Sequence, residues 1–359
     1  MRISLVTYTY NDHASVEELL LQSASWGMPF AEILVVDDGS ALPFPERDCL
    51  RVVRLLDNKG PGQAKRIGLA AATGDVVLSL DADMRLSPHW LRAALRHLAD
   101  PTVGIVGATI LPALTDTYLS RALYGISRME RREKKDAEVF FLPGAVWLFR
   151  RRMWEETGGL AGYDAPSHED YWISRMLRER GLRLIAADSH AAYEKRRLTR
   201  LAYCRRQVRY FAPSVAAVAS RQGILPALHH CETALAHALA YAARSGEAAI
   251  LYIELLHVAH LFTEVARINP DLFPDGTRPA AGALAFVRDF PRLFALLRDD
   301  LALLGIPETS PSPMPFLETF FSPLRESGFL PALEAVWADK LRAEDATVDF
   351  DGHYLEKRS

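Results

Sequence analysis

Short apolar runs alternate with amphipathic stretches over residues 1–212, and this alternation constrains the fold more than any other feature of the chain. Apolar runs of strand-forming residues occupy 2–8, 32–38, 51–56, 75–80 and 103–108. Helical spacing of apolar residues marks the segments 15–26, 62–73 and 87–99. Apolar strands separated by helices are typical of a mostly parallel sheet covered by helices on both faces. We therefore predict an α/β fold for this part of the chain.

Local signals at helix ends support two of the predicted helices. Ser87 suits an N-cap and Pro88 the first helical position of the segment 87–99. The stretch 167–181 begins with Ser167, has Asp170 three residues later and ends at Gly181. This spacing is typical of a capping box and a C-terminal glycine, and on that interpretation Asp170 is only a capping residue.

The pattern changes after residue 212. From Pro213 to about Leu341 nearly every run is rich in Ala and Leu at helical spacing. We predict an α/β domain over 1–212, an all-helical C-terminal region over 213–345 and a tail over 346–359. The helical region has no motif that assigns a role. It could recognise a substrate, close over an active site, form a homo-oligomer or only stabilise the first domain.

Composition excludes several classes of protein. The formal net charge of −3 argues against nucleic acid as the main partner, since phosphate backbones are met by strongly basic surfaces. The cysteines are far apart in the sequence, so we expect no disulfide framework and a reducing, cytoplasmic setting. The most apolar late stretch, 248–262, carries Glu254 and histidines and is too short to cross a bilayer. We expect no transmembrane segment, although peripheral contact with a membrane is compatible with the sequence.

Polar residues gather where the predicted strands end, which is where ligands bind to parallel sheets. These residues are Thr7, Tyr8, Asn11, Asp12, Asp37, Asp38, Asp81 and Asp83. Each of them alone is explained by a turn or a helix cap. Asp81 and Asp83, however, are like charges one residue apart, and a divalent cation with oxygen ligands would neutralise them. Mg²⁺ or Mn²⁺ bound in this way usually also contacts substrate phosphates, so this pair suggests a diphosphate-bearing substrate.

The order of the polar motifs resembles that of family 2 glycosyltransferases, which have the Rossmann-like GT-A fold. The resemblance covers roughly residues 2–212 and rests on "VTYTYND" (6–12), "VVDDGS" (35–40), "GPGQAKRIGLAAATGDVVLSLDADM" (60–84), "FFLPGAVWLFRRRMWEETGGLAGYD" (140–164) and "HEDYW" (168–172).

For the sugar donor, the resemblance implies several binding residues. The nucleotide would be held by Thr7, Tyr8 and Asp38, and the pyrophosphate by Lys65 or Arg66. The family's D-x-D signature matches 81–83: Asp83 would bind the Mn²⁺ or Mg²⁺ ion directly, and Asp81 would lie beside it on the sugar or ribose. Gly144 would let the backbone approach the donor sugar.

For the acceptor, the resemblance implies that Asp170 is the catalytic base, with Glu169 as the second candidate. If Asp170 also caps its helix, we expect the helix N-terminus to lower its pKa. His190 follows a strand-like run and is either a metal or acceptor ligand or an ordinary surface histidine. Trp147 is either a core residue or an acceptor platform.

Arg206 and Arg209 lie in a segment resembling the Q/R-x-x-R-W box of related, often processive, transferases, with Tyr210 in place of Trp. They would contribute to binding the nucleotide sugar. The same basic run is also typical of a solvated helix face or a membrane-surface patch.

The function implied by the resemblance is an inverting, metal-dependent, hexosyltransferase-type enzyme. It would move a sugar from a nucleotide-diphosphate sugar to the hydroxyl of an unidentified acceptor by direct displacement. One alternative is a non-catalytic nucleotide-sugar-binding or scaffold protein, although such proteins tend to lose an acid that is present here. A sugar-phosphate nucleotidyltransferase is less well supported, because "TYTYNDHAS" (7–15) lacks the Gly-rich loop expected after the first strand.

Overall fold

The fold is taken from a computed structural model of the chain. It describes residues 1–48, 50–131, 136–164, 169–187, 192–194, 198–209, 212, 225–273, 278–306 and 310–345. The sequence predictions for His190, the Ser167 cap, residues 213–224 and the tail 346–359 lie outside the described residues. The chain divides into two compact units, one of Met1–Ala113 with Glu130–Lys195 and the other of Leu114–Met129 with Arg196–Ser359.

The first unit contains an 8-stranded sheet with the order β3-β2-β1-β4-β9-β6-β10-β8 in the part of the chain that the structure describes. Its strands are β1 (Ile3–Thr9), β2 (Glu32–Asp37), β3 (Arg51–Arg54), β4 (Val76–Leu80), β6 (Val103–Gly107), β8 (Ala137–Glu138), β9 (Val146–Arg150) and β10 (Arg183–Ala186). A smaller sheet joins β5 (Met84–Arg85), β11 (Ala192–Glu194) and β7 (Ile110–Pro112) in the order β5-β11-β7.

Parallel pairing joins β3, β2, β1 and β4, and also β6 and β10. The predicted strands therefore form the expected mostly parallel sheet. The exception in its centre is β9, which runs antiparallel to both of its neighbours, β4 and β6. A strand buried on both faces reads as apolar in either direction, so its direction was not visible in the sequence.

Helices cover both faces of the large sheet. The helices of this unit are α1 (His13–Ala24), α2 (Pro61–Ala71), α3 (Pro88–His97), α5 (Arg151–Thr157) and α6 (Glu169–Glu179). Alternate residues of β4 point to opposite cores: Leu78 packs with residues of α1 and α3, and Val77 with residues of α2, α5 and α6. The predicted α/β fold with two covered faces is confirmed.

The predicted helix ends are also present. The Ser87 hydroxyl accepts a hydrogen bond from the backbone N–H of His89 at the start of α3. Gly181, just beyond α6, has a φ of 75°, a left-handed conformation that glycine adopts without a Cβ penalty.

The second unit is helical in its described residues. The sequence predicted helices for 213–345, but it assigned Leu114–Met129 and the residues 196–212, which also belong to this unit, to the α/β domain. Its described α-helices are α4 (Tyr118–Arg131), α7 (200–209), α8 (Leu225–Ser245), α9 (Ala249–Ile268), α10 (Pro279–Phe286), α11 (Pro291–Leu303), α12 (Pro315–Glu326), α13 (Phe329–Ala332) and α14 (Ala338–Asp345). The last two residues of α4 are counted with the first unit. One hydrophobic core joins these helices. The buried Arg200 guanidinium forms a two-pronged ion pair with Asp300 in this unit.

Helix α9 is longer than the sequence analysis expected from the stretch 248–262. Among the described residues it is the one helix long and apolar enough to cross a membrane, and 83% of its apolar window is buried inside the protein. Glu254, His257 and His260 of this helix are also buried. Burial lowers the pKa of His260 to about 4, so its imidazole is neutral at pH 7.

Candidate functional site

The polar strand ends predicted to share a site do lie at one edge of the sheet. Strands β2 and β4 both pair in parallel with β1, so their carboxyl ends point the same way. The backbone N–H of Asp38 donates to the carbonyl of Thr9, joining the ends of β2 and β1. The backbone N–H of Asp81 donates to the carbonyl of Ala145, joining the end of β4 to the residue before β9.

Lys65 is a buried cation that pairs with two carboxylates at this edge of the sheet. It lies on α2, and its side chain is only 4% exposed. Its Nζ lies 2.8 Å from Oε1 of Glu169 and 3.2 Å from Oδ1 of Asp81. Burial lowers the pKa of Lys65, but the two carboxylates more than offset this and hold the pKa well above its usual value. Lys65 is therefore a fixed positive charge between two elements that are distant in sequence.

Gly144 brings the backbone against this ion pair. A Cβ at this position would lie 2.8 Å from Nζ of Lys65 and 2.9 Å from Oε1 of Glu169. These distances are shorter than real Cβ contacts, so a side chain at this position would push the end of the Lys65 or the Glu169 side chain aside. The sequence prediction of close backbone approach at Gly144 agrees with this geometry, although the neighbours are protein side chains.

Asp170 lies beside Gly144 in the first turn of α6. Its Oδ2 accepts a 3.3 Å hydrogen bond from the backbone N–H of Gly144, and its Oδ1 accepts one of 2.8 Å from its neighbour Tyr171. Burial raises the pKa of Asp170, and the adjacent Glu169 carboxylate adds to this, while Lys65 and the backbone N–H groups oppose it. The expectation of a lowered pKa is wrong, because burial and like charge outweigh the hydrogen bonds.

The acidic pair after β4 is partly exposed at the same edge. Burial raises the pKa of Asp81; Lys65 opposes this, and Asp83 and Glu169 add to it. Asp83 lies in the turn that follows β4 and is half-buried. The two residues thus influence each other electrostatically, as the sequence analysis expected of like charges so close together.

This donor set is compatible with a divalent cation. Lys65 pairs with Asp81 and Glu169 and acts on the nearby Asp170, so the negative charge around its ammonium exceeds the positive charge that it supplies. Asp83 acts on Asp81 and adds to this negative charge. The described residues contain no group of three or more His, Cys, Asp or Glu that could hold a metal ion. A cation held by Asp83, with Asp81 beside it, would therefore need oxygens from a substrate, which is the usual arrangement for Mg²⁺.

Tyr8 and Ser79 contact each other at this edge, and of these two residues the sequence predicted only Tyr8 as part of the site. The Tyr8 hydroxyl lies 2.9 Å from Oγ of Ser79, and Nζ of Lys65 lies 5.8 Å from the centre of the Tyr8 ring. Ser79 is fully buried and was not predicted. A single hydroxyl inside the apolar run "VVLSL" (76–80) was the available signal.

Trp147 is fully buried in β9, with Nζ of Lys65 5.7 Å from its ring. Of the two interpretations left open by the sequence, this position fits a core residue behind the site.

Tyr163 was not predicted from the sequence. Its backbone carbonyl accepts a hydrogen bond from Gln63 of α2. Burial raises the pKa of Tyr163, and the nearby carboxylates of Glu169 and Asp170 add to this.

The predicted nucleotide-binding residues lie in two environments. Thr7 is fully buried inside β1, and its hydroxyl has no hydrogen-bond partner among the described residues. Asp38 is almost fully buried, and its two oxygens accept hydrogen bonds from the backbone N–H groups of Lys59 and Gly60. Asp38 thus shapes the loop that leads into α2.

Arg66, the other cation predicted for the pyrophosphate, has a different partner from Lys65. Arg66 follows Lys65 on α2 but points elsewhere, and its Nε donates to Oε1 of Gln63. Of the two cations proposed for the pyrophosphate, the structure therefore brings Lys65 to the acidic edge. Arg206 and Arg209 belong to α7 of the second unit. Their predicted role in donor binding and that of His190, outside the described residues, remain predictions.

A family model describes part of the chain. Residues 4–158 match the model for glycosyl transferase family 2. The match contains β1, β2, α2 and β4 with Asp81 and Asp83, and it ends before Glu169 and Asp170.

Several curated proteins are similar to part of the chain. A pre-mycofactocin glycosyltransferase of Mycobacterium tuberculosis is 33% identical over 166 residues, which cover 42% of this chain and 35% of that protein. An undecaprenyl-phosphate 4-deoxy-4-formamido-L-arabinose transferase of Klebsiella pneumoniae is 33% identical over 119 residues, covering 30% and 36%. The chain thus spans about a third of the length of these relatives.

Solved structures show a more distant likeness. The mannosyltransferase PcManGT of Pyrobaculum calidifontis, in complex with GDP-Man and Mn²⁺, has a TM-score of 0.43 at 22% identity, covering 96% of this chain and 88% of that one. A structure of GalNAc-T7 with UDP, GalNAc and Mn²⁺ has a TM-score of 0.45 at 16% identity, covering 55% and 43%.

Proposed function

Because residues 4–158 match the model for glycosyl transferase family 2, we propose that this protein is a glycosyltransferase that uses a nucleotide-diphosphate sugar. The reaction is an inverting, direct displacement in which an acceptor hydroxyl attacks the anomeric carbon of the donor. The observation that supports this most strongly is the convergence of Lys65, Asp81, Glu169 and Asp170 at the carboxyl edge of the sheet.

Asp170 is the proposed catalytic base. It takes the proton from the acceptor hydroxyl as the oxygen attacks from the face opposite the leaving diphosphate. A general base works best when its pKa is close to the working pH, and burial moves the pKa of Asp170 in that direction. Glu169, the second candidate, is already held by Nζ of Lys65 at 2.8 Å, so it is less available to an acceptor.

The donor is proposed to bind along the ends of β1, β2 and β4. Lys65 offers a fixed positive charge for the pyrophosphate, and Tyr8 and the loop shaped by Asp38 flank the nucleotide. Asp83, with Asp81 beside it, would hold Mn²⁺ or Mg²⁺. A bound divalent cation supplies charge that stabilises the leaving diphosphate.

Donor binding is tested by thermal shift with UDP-, GDP- and TDP-sugars, each with and without Mn²⁺. A ligand at a hundred times its Kd stabilises the native state by about 2.7 kcal/mol, so the true donor should raise the Tm clearly. Asp83→Asn should remove the Mn²⁺-dependent part of this shift. The matched control is Asp57→Asn, at a side chain that is 74% exposed. The donor proposal is wrong if no nucleotide sugar in the panel raises the Tm.

The base assignment is tested by comparing Asp170→Asn with Glu169→Gln. Loss of a general base typically lowers the rate by about 10²- to 10⁴-fold, and we expect this in kcat for Asp170→Asn with the donor-induced Tm shift retained. A larger loss in Glu169→Gln than in Asp170→Asn would reverse the assignment. Full activity in the presence of a chelator would exclude the metal.

A further inference from the structure

The segment that precedes β9 lies antiparallel along α6. Arg178 stacks over the ring of Phe140 at 4.4 Å from its centre, the backbone N–H of Leu142 donates to Oγ of Ser174, and that of Gly144 donates to Oδ2 of Asp170. Each step of two residues along the segment thus corresponds to about one turn of the helix. The segment and α6 form one surface that begins at Asp170.

Three large aromatic side chains are exposed in this segment and in the first turn of α6. Phe140 is 77% exposed, Phe141 43% and Tyr171 61%; we call these three residues the aromatic strip. A single exposed apolar side chain is ordinary in a folded protein, but several together mark a binding surface. Tyr171 directly follows Asp170, and Phe140 lies two turns further along α6, next to Arg178.

Arg178 adds a positive charge to the far end of the aromatic strip. In the described part of the chain its guanidinium contacts the Phe140 ring and has no carboxylate partner. Arg175, on the preceding turn, is by contrast paired with Glu179 at 3.4 Å. A cation that lies on an aromatic face and is not neutralised by a described carboxylate is suited to an anionic group on a ligand.

We propose that the aromatic strip and Arg178 bind the acceptor, and that this acceptor is a saccharide carrying an anionic group. The proposal rests on the proposed function, in which Asp170 is the base. A hydroxyl nucleophile must lose a proton to a base, whereas a phosphate acceptor is already ionised; the proposed base therefore favours a saccharide hydroxyl over a lipid phosphate. The flat apolar faces of sugar rings match exposed aromatic rings, and complementarity of charge places the anion at Arg178.

The dimensions agree with an acceptor of more than one sugar ring. Asp170 and Arg178 are eight residues apart on α6, which corresponds to about 12 Å along the helix axis. The hydroxyl that reacts would lie at Asp170, the ring that carries it against Tyr171, and the anionic group at Arg178.

The test uses the full chain and the nucleotide sugar with the largest thermal shift. Transfer is measured to methyl disaccharides in neutral and uronic-acid forms, and their binding is followed in parallel by saturation-transfer NMR. The variants are Tyr171→Ala, Phe140→Ala and Arg178→Ala. Controls are Leu21→Ala, at an apolar side chain that is 74% exposed, and Arg152→Ala, at an arginine that is 88% exposed.

We expect the uronate forms to be the better acceptors. Loss of one aromatic contact should raise the acceptor KM about tenfold, while the donor-induced Tm shift and slow donor hydrolysis without acceptor stay unchanged. Arg178→Ala should remove the preference for the uronate over the neutral form. The two control variants should behave as the wild type.

Other outcomes would overturn the proposal. It is wrong if the strip variants reduce donor hydrolysis as much as transfer, if they leave the acceptor KM unchanged, or if no disaccharide binds or reacts while donor hydrolysis proceeds. Binding to anionic phospholipid vesicles that is lost in Phe140→Ala would instead assign the strip to a membrane surface. Absence of both donor hydrolysis and a donor-induced Tm shift would be failure of the proposed function itself.

Discussion

Nζ of Lys65 donates a 2.8 Å hydrogen bond to Oε1 of Glu169, a residue 104 positions later in the chain. The same ammonium lies 3.2 Å from Asp81 at the end of β4. One buried cation thus joins α2, β4 and the first turn of α6. Because a buried charge is costly unless it is paired, these three elements depend on one another.

Replacing Lys65 with Met should therefore destabilise the fold, because Glu169 would keep a buried carboxylate without its cation. Removing one partner of a buried ion pair typically costs about 3–5 kcal/mol, measured here as the free energy of unfolding in urea. The double variant Lys65→Met with Glu169→Gln should recover part of the loss. Lys59→Met, at an exposed pair with Asp57, should cost less than about 1 kcal/mol. Equal costs for Lys65→Met and Lys59→Met would contradict the role of Lys65.

Gly144→Ala should damage the same cluster from the backbone side. The new Cβ would lie within 3 Å of both Nζ of Lys65 and Oε1 of Glu169, so the end of at least one of these side chains must shift. Such overpacking typically costs about 1–3 kcal/mol, and transfer activity should fall with it. Gly162→Ala is the matched control, since nothing lies within 4 Å of a Cβ there. An unfolding curve for Gly144→Ala that overlays the wild type would exclude this packing constraint.

The pH dependence of the rate should report the environment of Asp170. A base must be ionised, so activity is present above its pKa and is lost as the pH falls through it. Burial chiefly raises this pKa, and Glu169 adds to it; Glu169→Gln should therefore shift the acid limb of kcat/KM to lower pH. Glu179→Gln, at an exposed position of the same helix, should leave the limb in place. A limb that moves to higher pH in Glu169→Gln would contradict the assignment.

His260 should make the helical unit sensitive to acid. Burial lowers its folded-state pKa to about 4, with Glu264 opposing this and His257 and Arg205 adding to it. The unfolded chain, with a histidine pKa near 6.5, then binds more protons between these values, so the free energy of unfolding falls as the pH drops from about 6.5 to about 4. This contribution is at most about 3 kcal/mol.

The measurement is urea unfolding of His260→Leu between pH 4 and 7. The variant should lose less stability than the wild type over this range. His237→Leu, at an exposed position of α8, should follow the wild-type slope. Parallel slopes for His260→Leu and the wild type would show that another group carries the acid sensitivity.

Local signals in the sequence predicted most of the secondary structure of the first unit. The strands and helices follow from apolar periodicity, and the ends of α3 and α6 from Ser87 and Gly181, because these preferences act within a few residues. The antiparallel direction of β9 was not predictable, since a fully buried strand carries no mark of its direction. The sequence also did not predict that residues 114–129 belong to the second unit, because this depends on contacts between residues that are distant in sequence.

The sequence by itself determined which groups could meet at the site. Acidic residues at the ends of parallel strands must share one edge, so the proximity of Asp38 and Asp81 to that edge follows from strand order and direction alone. The tertiary structure decided which cation reaches them. Lys65 and Arg66 are adjacent in sequence but about 100° apart around a helix, and only the packing of α2 on the sheet turns Lys65 inward. It also decided the direction of the pKa shift of Asp170, because burial and the charge of Glu169 are properties of the folded surroundings.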